Sequence, residues 1–255
     1  MNVLVVDVGG TNVKVLASGQ TTPLKIPSGP KLTAKQMVTT VKKLAGDWQY
    51  DVISVGYPGP VIHGRPVHDP FNLGPGWMGF DFAAEFGKPV KVINDAAMQA
   101  LGAYQDGAML FLGLGTGLGS AMIVDGRIEP MELAHLPYRK GTYEDYVGLR
   151  GIRKYGKKKW RDYVADVVKR LAAALEPDEV VLGGGNTKLL KKLPPHCRTV
   201  DNTYAFKGGL RLWQDDRIRA LNYDPTSEPE SSGRTNGSAV KKPAKRKGVS
   251  EWQQA

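Results

Sequence analysis

Cysteine is nearly absent from this chain of 255 residues, in which Cys197 is the single one. One cysteine cannot form a disulfide within the chain, and it cannot supply the several thiolates of a cysteine-based zinc site. Proteins without disulfides are typical of reducing compartments. We therefore expect an intracellular protein that needs neither a disulfide framework nor zinc.

Long apolar runs are also missing from the sequence. No run approaches the roughly 18 residues that a membrane-spanning helix requires. The N-terminal residues NVLVVDV follow a strand pattern, whereas a secretory leader would begin with a basic and then a long apolar region. A soluble cytoplasmic protein is predicted, and its composition, with 41% hydrophobic and 24% charged residues, is that of one or two ordinary globular domains.

Positive charge is in excess, since the formal net charge is +10. The segment from Arg139 to Arg161 is the densest part, with nine Lys or Arg residues and two acids. Such a segment is either a solvated helix face or a surface for a polyanion, such as nucleic acid or a phosphate polymer. No signature of a nucleic-acid-binding module accompanies it, so nucleic acid is not the expected partner.

One pattern occurs twice along the chain. Val3–Leu16 and Met109–Asp125 each consist of a strand, a glycine-rich turn and a second strand. Helix and strand patterns follow each of these hairpins. The repetition predicts a duplicated α/β architecture.

The remaining elements follow from hydrophobic periodicity and from cap and turn residues. Helices are predicted over Lys31–Gly46 with Thr33 as N-cap, from Asn94 onward, and over Trp160–Ala174, Thr187–Lys192 and Phe206–Trp213; strands are predicted over Val52–Gly56, Val90–Ile93 and Glu179–Leu182. His63–Gly79 is a long loop rich in Pro and Gly. From about Asp224 the composition predicts a disordered tail.

The turns of the two hairpins have the chemistry of phosphate loops. Their residues are Gly9, Gly10 and Thr11 in the first hairpin, and Gly115, Thr116 and Gly117 in the second. Glycines leave backbone N–H groups open to phosphate oxygens, and each threonine adds a hydroxyl donor. Hairpins need glycine for their turns in any case, but two such turns favour a cleft that grips phosphates from both sides. Asp7 beside the first turn could then hold a hydrated Mg²⁺.

Asn94 and Asp95 stand between a hydrophobic strand and a helix. Either residue could be a simple helix N-cap. The carboxyl end of a strand is also where α/β proteins bind ligands. A carboxylate there can take the proton of a hydroxyl group that attacks a phosphoryl group.

Glu132 and His135 lie three residues apart in MELAHLPY. A lone histidine is more often structural than functional. Carboxylate, imidazole and amide groups without a metal nevertheless suit hydrogen bonding to the hydroxyls of a sugar.

Eight segments, in this order, resemble the motifs of the ROK family of bacterial sugar kinases, most closely its glucokinase and polyphosphate glucokinase branch. They are DVGGTNVKV, GYPGPV, FNLGPGW, INDA, GLGTGLGSAMIVDG, ELAH, YEDYVG and VLGGGN. The resemblance covers about residues 1 to 213. It implies the actin-like, or ribonuclease H-like, α/β fold, in which two domains close over a cleft.

The resemblance also implies a division of the chain and a role for each motif. We expect an N-terminal domain over residues 1–105, a C-terminal domain over 106–223 whose last helix packs back on the first, and the tail over 224–255. Asp95 corresponds to the catalytic base. The sugar-binding residues would be Gly59, Asn72, Asn94, Asp95, Glu132, His135 and Glu144. The phosphate-binding residues would be Asp7, Gly9, Gly10, Thr11, Gly115, Thr116 and Gly117, and the nucleoside would contact Gly183, Gly184 and Gly185.

The chain differs from most ROK proteins in the segment HLPYRKGTYED, which lacks the cysteine-rich zinc motif of the family. The resemblance predicts a homodimeric kinase that transfers a phosphoryl group from polyphosphate or ATP, with Mg²⁺, to the 6-hydroxyl of glucose or a similar hexose. The GGGN turn favours ATP as the donor, and the basic segment favours polyphosphate. The alternative is a catalytically weak, sugar-binding regulator or scaffold on the same fold.

Overall fold

The computed structural model describes residues 1–214 and the short strand Arg219–Ala220. Both predicted hairpins are present, and each begins a sheet. The predicted tail from Asp224 lies outside the described residues. No helix in the described ranges is long and apolar enough to cross a membrane.

The first half of the chain forms a five-stranded sheet with helices. Its elements are β1 (Val3–Val8), β2 (Asn12–Ala17), β3 (Leu24–Pro27), α1 (Ala34–Leu44), β4 (Val52–Tyr57), β5 (Val61–Ile62), β6 (Arg65–Pro66), α2 (Phe82–Phe86), β7 (Val90–Asn94) and α3 (Asp95–Ala103). The strand order is β3-β2-β1-β4-β7. Strands β1, β2 and β3 pair antiparallel, whereas β4 and β7 continue the sheet parallel to β1.

The second half repeats this plan. Its elements are β8 (Ala108–Leu114), β9 (Leu118–Val124), β10 (Arg127–Met131), β11 (Pro137–Tyr138), β12 (Gly141–Thr142), α4 (Tyr143–Val147), α5 (Leu149–Leu175), β13 (Glu179–Gly183), β14 (Cys197–Thr199), α6 (Tyr204–Gln214) and β15 (Arg219–Ala220). The order is β14-β13-β8-β9-β10-β15, with β8, β9 and β10 antiparallel and with β13 and β14 parallel to β8. The duplicated architecture is confirmed.

Local sequence explains where most elements begin and end. In β2 every second residue is buried, as expected for a strand with one face on the core. Thr33 caps α1 as predicted, and Gln36 completes a capping box, so the helix begins at Ala34 and not at Lys31.

Two predicted helices differ from the structure. The helix predicted over Thr187–Lys192 is wrong, because the segment makes only a 3₁₀ turn at Thr187–Leu189. Pro194 and Pro195 follow it, and a residue before proline is disfavoured in helical conformation. Helix α5 begins eleven residues before the predicted Trp160, and Gly156, at φ 76°, breaks its regularity.

Helix α6 connects the two halves. It packs on α3 and also against β1 and β4 of the first sheet. The Ser54 hydroxyl in β4 donates to the carbonyl of Gly209 at 2.6 Å and accepts from the Trp213 indole at 3.0 Å. The packing of α6 on α3 holds the helix that carries Asp95.

The boundary between the two domains, expected between residues 105 and 106, stays a prediction.

Candidate active site between the two sheets

A cavity of about 520 Å³ opens between the two halves of the molecule. Both glycine-rich hairpin turns line it, together with the start of α3 and the segment from Met131 to His135. The structure brings every predicted site residue to this cavity except Gly183. Residues from opposite ends of the chain therefore form one site.

The first glycine-rich turn is held in shape by backbone and hydroxyl contacts. The Gly9 N–H donates to the Asn12 carbonyl at 3.1 Å, and the Ser28 hydroxyl donates to the Gly9 carbonyl at 2.6 Å. A Cβ at Gly9 would lie 2.8 Å from the Asn12 carbonyl oxygen, so the turn requires glycine there. Thr11 is exposed at its tip. The turn is thus fixed before any ligand binds.

The second turn is anchored to three other elements. Asn186 donates its side-chain amide to the Gly115 carbonyl at 2.8 Å, and the N–H of Leu149, at the start of α5, donates to the Thr116 carbonyl at 3.0 Å. A Cβ at Gly117 would lie 2.7 Å from Glu144 Oε2. The predicted phosphate loop is therefore adjacent both to a helix N-terminus and to a predicted sugar-binding carboxylate.

Asp95 is the first residue of α3 and lines the cavity. Its carboxylate accepts from the N–H of Ala96 at 2.8 Å. Burial, followed by the negative charge of Asp7 and a weaker effect of Glu132, raises the pKa of Asp95 to about 7. A carboxylate with a pKa near neutrality can accept and release a proton at physiological pH.

Asn94 is the residue that caps α3. Its side-chain oxygen accepts from the Ala97 N–H at 3.0 Å, and its amide donates to the Gly59 carbonyl at 3.2 Å. The N-cap interpretation is confirmed for Asn94. One N–H and one lone pair of its amide are not used by these two bonds.

Three polar side chains of the second half converge on one another. His135 Nε2 lies 3.6 Å from Glu132 Oε2, and His135 Nδ1 lies 4.0 Å from Glu144 Oε1. Burial raises the pKa of Glu132, and Glu144 raises it further, whereas His135 opposes the shift. The histidine thus lies between two carboxylates, an arrangement with several donors and acceptors for hydroxyl groups.

A cluster of tyrosines lies in the segment that follows Glu132 and in α5. Its rings, which contact one another at centroid distances between 5.0 and 6.4 Å, are those of Tyr138, Tyr143, Tyr146, Tyr155 and Tyr163. Tyr138 also donates its hydroxyl to Asp166 at 2.6 Å. The cluster ties the segment HLPYRKGTYED to α5 by aromatic packing.

Gly183 does not reach the cavity. It is the buried last residue of β13, where a Cβ would overlap the ring of Phe111. Gly184 and Gly185 do line the cavity, and Gly184 has a φ of 85°, which favours glycine. In the turn that was predicted to contact the nucleoside, Gly184 and Gly185 therefore line the cavity and Gly183 does not.

Several cavity residues were not predicted from the sequence. They are, among others, Lys14, Phe71, Gln99, Ser120 and Asn202. Lys14 could have been found, because Asp7 and Lys14 are symmetric about the hairpin turn and therefore pair across it. Its Nζ lies 3.4 Å from Asp7 Oδ2.

The residues present fit a magnesium ion held mostly by substrate. Within residues 1–214 no group of three or more His, Cys, Asp or Glu side chains could hold a metal by itself. Burial raises the pKa of Asp7, and Lys14 opposes that shift. A single carboxylate beside a phosphate loop is sufficient for Mg²⁺, which keeps several waters and takes its other ligands from phosphates.

Comparison with known proteins places this geometry in a family. The family model described as "ROK family" matches residues 3–130, half of the chain. The chain belongs to the ROK family. It is 29% identical over 215 residues to a polyphosphate glucokinase of Mycobacterium tuberculosis, an alignment that covers 74% of this chain and 80% of the relative.

Solved structures share the fold of this ROK chain. An inorganic polyphosphate/ATP-glucomannokinase from Arthrobacter superimposes with a TM-score of 0.70 at 24% identity, covering 81% of this chain and 96% of the other. A ROK glucokinase from Streptomyces griseus, solved with glucose and AMPPNP, superimposes with a TM-score of 0.63 at 18% identity. The superposition covers 83% of this chain and 99% of the other. The actin-like fold expected from the sequence motifs is confirmed.

Proposed function

We propose that this ROK chain is a sugar kinase that transfers a phosphoryl group to the 6-hydroxyl of glucose or a similar hexose, with Asp95 as general base. The observation that carries the proposal is the position of Asp95. Its carboxylate lies in a cleft formed by two glycine-rich turns, and its pKa is raised to about 7. The resemblance to polyphosphate glucokinases supports the same assignment.

The chemistry assigned to Asp95 is a proton transfer. Its carboxylate accepts the proton of the 6-hydroxyl as that oxygen bonds to the terminal phosphorus of the donor. The bond between this phosphorus and the bridging oxygen breaks, and the leaving phosphate keeps the electron pair. Burial of Asp95 favours this role, because a desolvated carboxylate is a stronger base than one in water.

The two turns hold the donor from opposite sides. Backbone N–H groups of Gly10 and Gly117, with the hydroxyls of Thr11 and Thr116, would bind its phosphates. The N–H groups of Gly9 and Gly115 instead shape the turns, because they donate to the carbonyls of Asn12 and Gly117. Asp7 would hold Mg²⁺ through water, and the ion when bound neutralises charge on the donor. Most of the rate enhancement would come from positioning and electrostatic stabilisation.

The sugar would lie on the other side of Asp95. Glu132, His135 and Glu144 offer acceptors and donors to several hydroxyls. Asn94, with Gly59 beside it, and Asn72 would complete the ring of polar contacts. Hydrogen-bonded hydroxyls give the high selectivity that apolar contacts cannot provide.

We infer that polyphosphate is the main donor and that ATP is a possible second one. Helix α5 begins at the second turn, and Arg161 of the same helix donates to the Leu189 carbonyl at 2.6 Å, just beyond the Gly184–Gly185 turn. Lys157 precedes Arg161 by one helical turn and lies on the same face of α5. An exposed lysine on this face of α5 suits a long polyanion.

A coupled assay of hexose phosphorylation with Asp95→Asn tests the catalytic assignment. We expect a loss of kcat of at least about 100-fold, the size typical of a removed general base. Asp47→Asn, at an exposed position, is the matched control and should keep full activity. Turnover by Asp95→Asn close to that of the unmodified protein would refute the role of Asp95.

The donor assignment is tested by single charge reversals on α5. Lys157→Glu should raise the KM for polyphosphate, with an effect that shrinks as salt increases, and should change the KM for ATP less. Lys159→Glu is the control, because residue 159 points away from the face that carries Arg161. Equal effects of the two reversals would contradict a docking role for Lys157.

A further inference from the structure

Phe71 differs from every other side chain of the cleft. It is the one Phe, Tyr or Trp residue lining the cavity in the part of the chain that the structure describes. Its relative exposure is 100%, although large apolar side chains normally bury part of their surface. A fully exposed phenyl ring that lines a cavity is available to a ligand.

The loop that carries Phe71 is fixed on both sides. Before it, the His68 carbonyl accepts from the Tyr57 hydroxyl at 2.6 Å, and Asp69 accepts from the N–H of Trp77 at 2.7 Å. After it, the Gly74 N–H donates to the Leu32 carbonyl at 3.0 Å. The ring therefore projects from a rigid frame, which lowers the entropic cost of using it in binding.

The loop that carries Phe71 contacts the first glycine-rich turn. Asn72, the next residue, packs against the first glycine-rich turn, since a Cβ at Gly10 would lie 3.5 Å from Asn72 Cβ. The other walls are rich in acids and amides, and the remaining apolar lining consists of small or aliphatic side chains. The cleft thus combines many hydrogen-bonding groups with a single flat apolar surface.

We propose that Phe71 is a specificity-determining residue that packs on the C–H face of the bound hexose and shields its reacting hydroxyl from water. This inference rests on the proposed function. A hexose has a rim of hydroxyls and an apolar face of C–H groups. The polar walls of the cleft would hydrogen-bond the hydroxyls, and the Phe71 ring would pack on the C–H face. Aromatic rings give such contacts a fixed geometry in addition to buried area.

Calorimetric titration with glucose and steady-state kinetics test the proposal. Phe71→Ala should weaken glucose binding and raise the KM for glucose about tenfold, while the KM for the donor stays unchanged. Phe71→Tyr keeps the flat ring and should bind glucose as the unmodified protein does. Met78→Ala is the control, because Met78 is exposed in the same loop and does not line the cavity.

Two results would overturn the assignment. One is unchanged glucose affinity in Phe71→Ala; the other is a rise in the donor KM with no change for glucose. Failure of the proposed function would look different, because the unmodified protein itself would then phosphorylate no hexose. In that case the titrations of the unmodified protein and of Phe71→Ala with glucose, compared with each other, still show whether Phe71 serves sugar binding.

Discussion

Lys14 faces Asp7 across the first hairpin, with Nζ 3.4 Å from Asp7 Oδ2 in the wall of the cleft. The two residues are direct partners in the pairing of β1 with β2. Four carboxylates, those of Asp7, Asp95, Glu132 and Glu144, line the same cavity. Among the Lys and Arg side chains of the described residues, Lys14 is the one that lines it. The proposed phosphoryl donor would meet these negative charges in the cleft, and Lys14 offsets part of them.

Lys14→Met should therefore weaken donor binding. We expect the KM for the donor to rise about tenfold or more, because a desolvated carboxylate loses its counter-charge and the phosphates lose a cationic contact. Initial rates at varied donor concentration measure the effect. Lys25→Met is the matched control, since Lys25 pairs with Lys14 across β2 and β3 but is exposed outside the cavity. Equal kinetics for the two variants would contradict the role of Lys14.

The pH dependence of kcat/KM should report Asp95. Because its pKa is raised to about 7, the proposed base is protonated in acid, and kcat/KM should fall as pH decreases through about 7. The charge of Glu132 contributes to that raised pKa. Glu132→Gln should therefore shift the acid limb to lower pH, whatever it does to the plateau. Glu129→Gln, an exposed position on β10, should leave the limb in place.

Asp95→Asn should stabilise the protein, and more so at alkaline pH. The pKa of Asp95 lies near 7 in the folded state and near its ordinary value of 3.8 when unfolded. The folded state then binds more protons between these values, so the stability contribution of Asp95 falls as pH rises from about 4 to about 7. Above pH 7 the buried charge costs its full penalty. Urea unfolding should show a gain on the order of 1–3 kcal/mol at pH 8.5 and a smaller one at pH 5.5. A gain independent of pH would contradict this origin.

Gly208→Ala should be strongly destabilising. Helices α3 and α6 cross in close contact, and a Cβ at Gly208 would overlap the carbonyl oxygen of Met98. The helices would have to separate, at a cost of about 3 kcal/mol or more. Gly46→Ala is the control, since a Cβ there makes ordinary contacts. Chemical denaturation of the two variants measures the difference, and similar midpoints would show that the crossing tolerates a methyl group.

Much of the fold follows from local sequence. The two hairpins could be predicted because alternating burial and glycine turns are properties of neighbouring residues. The capping box at Thr33 has the same local character. The helix predicted over Thr187–Lys192 is wrong for a local reason as well, because Pro194 and Pro195 follow the segment and disfavour helical conformation before them. The early start of α5 was missed because its first turns are basic and lack a clear apolar period.

Membership of the ROK family, and about half of the residues that line the cleft, could be predicted from the order of the motifs in the sequence. The tertiary structure alone decided how those residues act on one another: that Lys14 neutralises Asp7, that burial and neighbouring charges raise the pKa of Asp95, and that Gly183 is turned into the core while Phe71 is left exposed. The reason is physical. Secondary structure depends on residues a few positions apart, whereas desolvation and Coulomb interactions depend on distances between groups that only folding brings together.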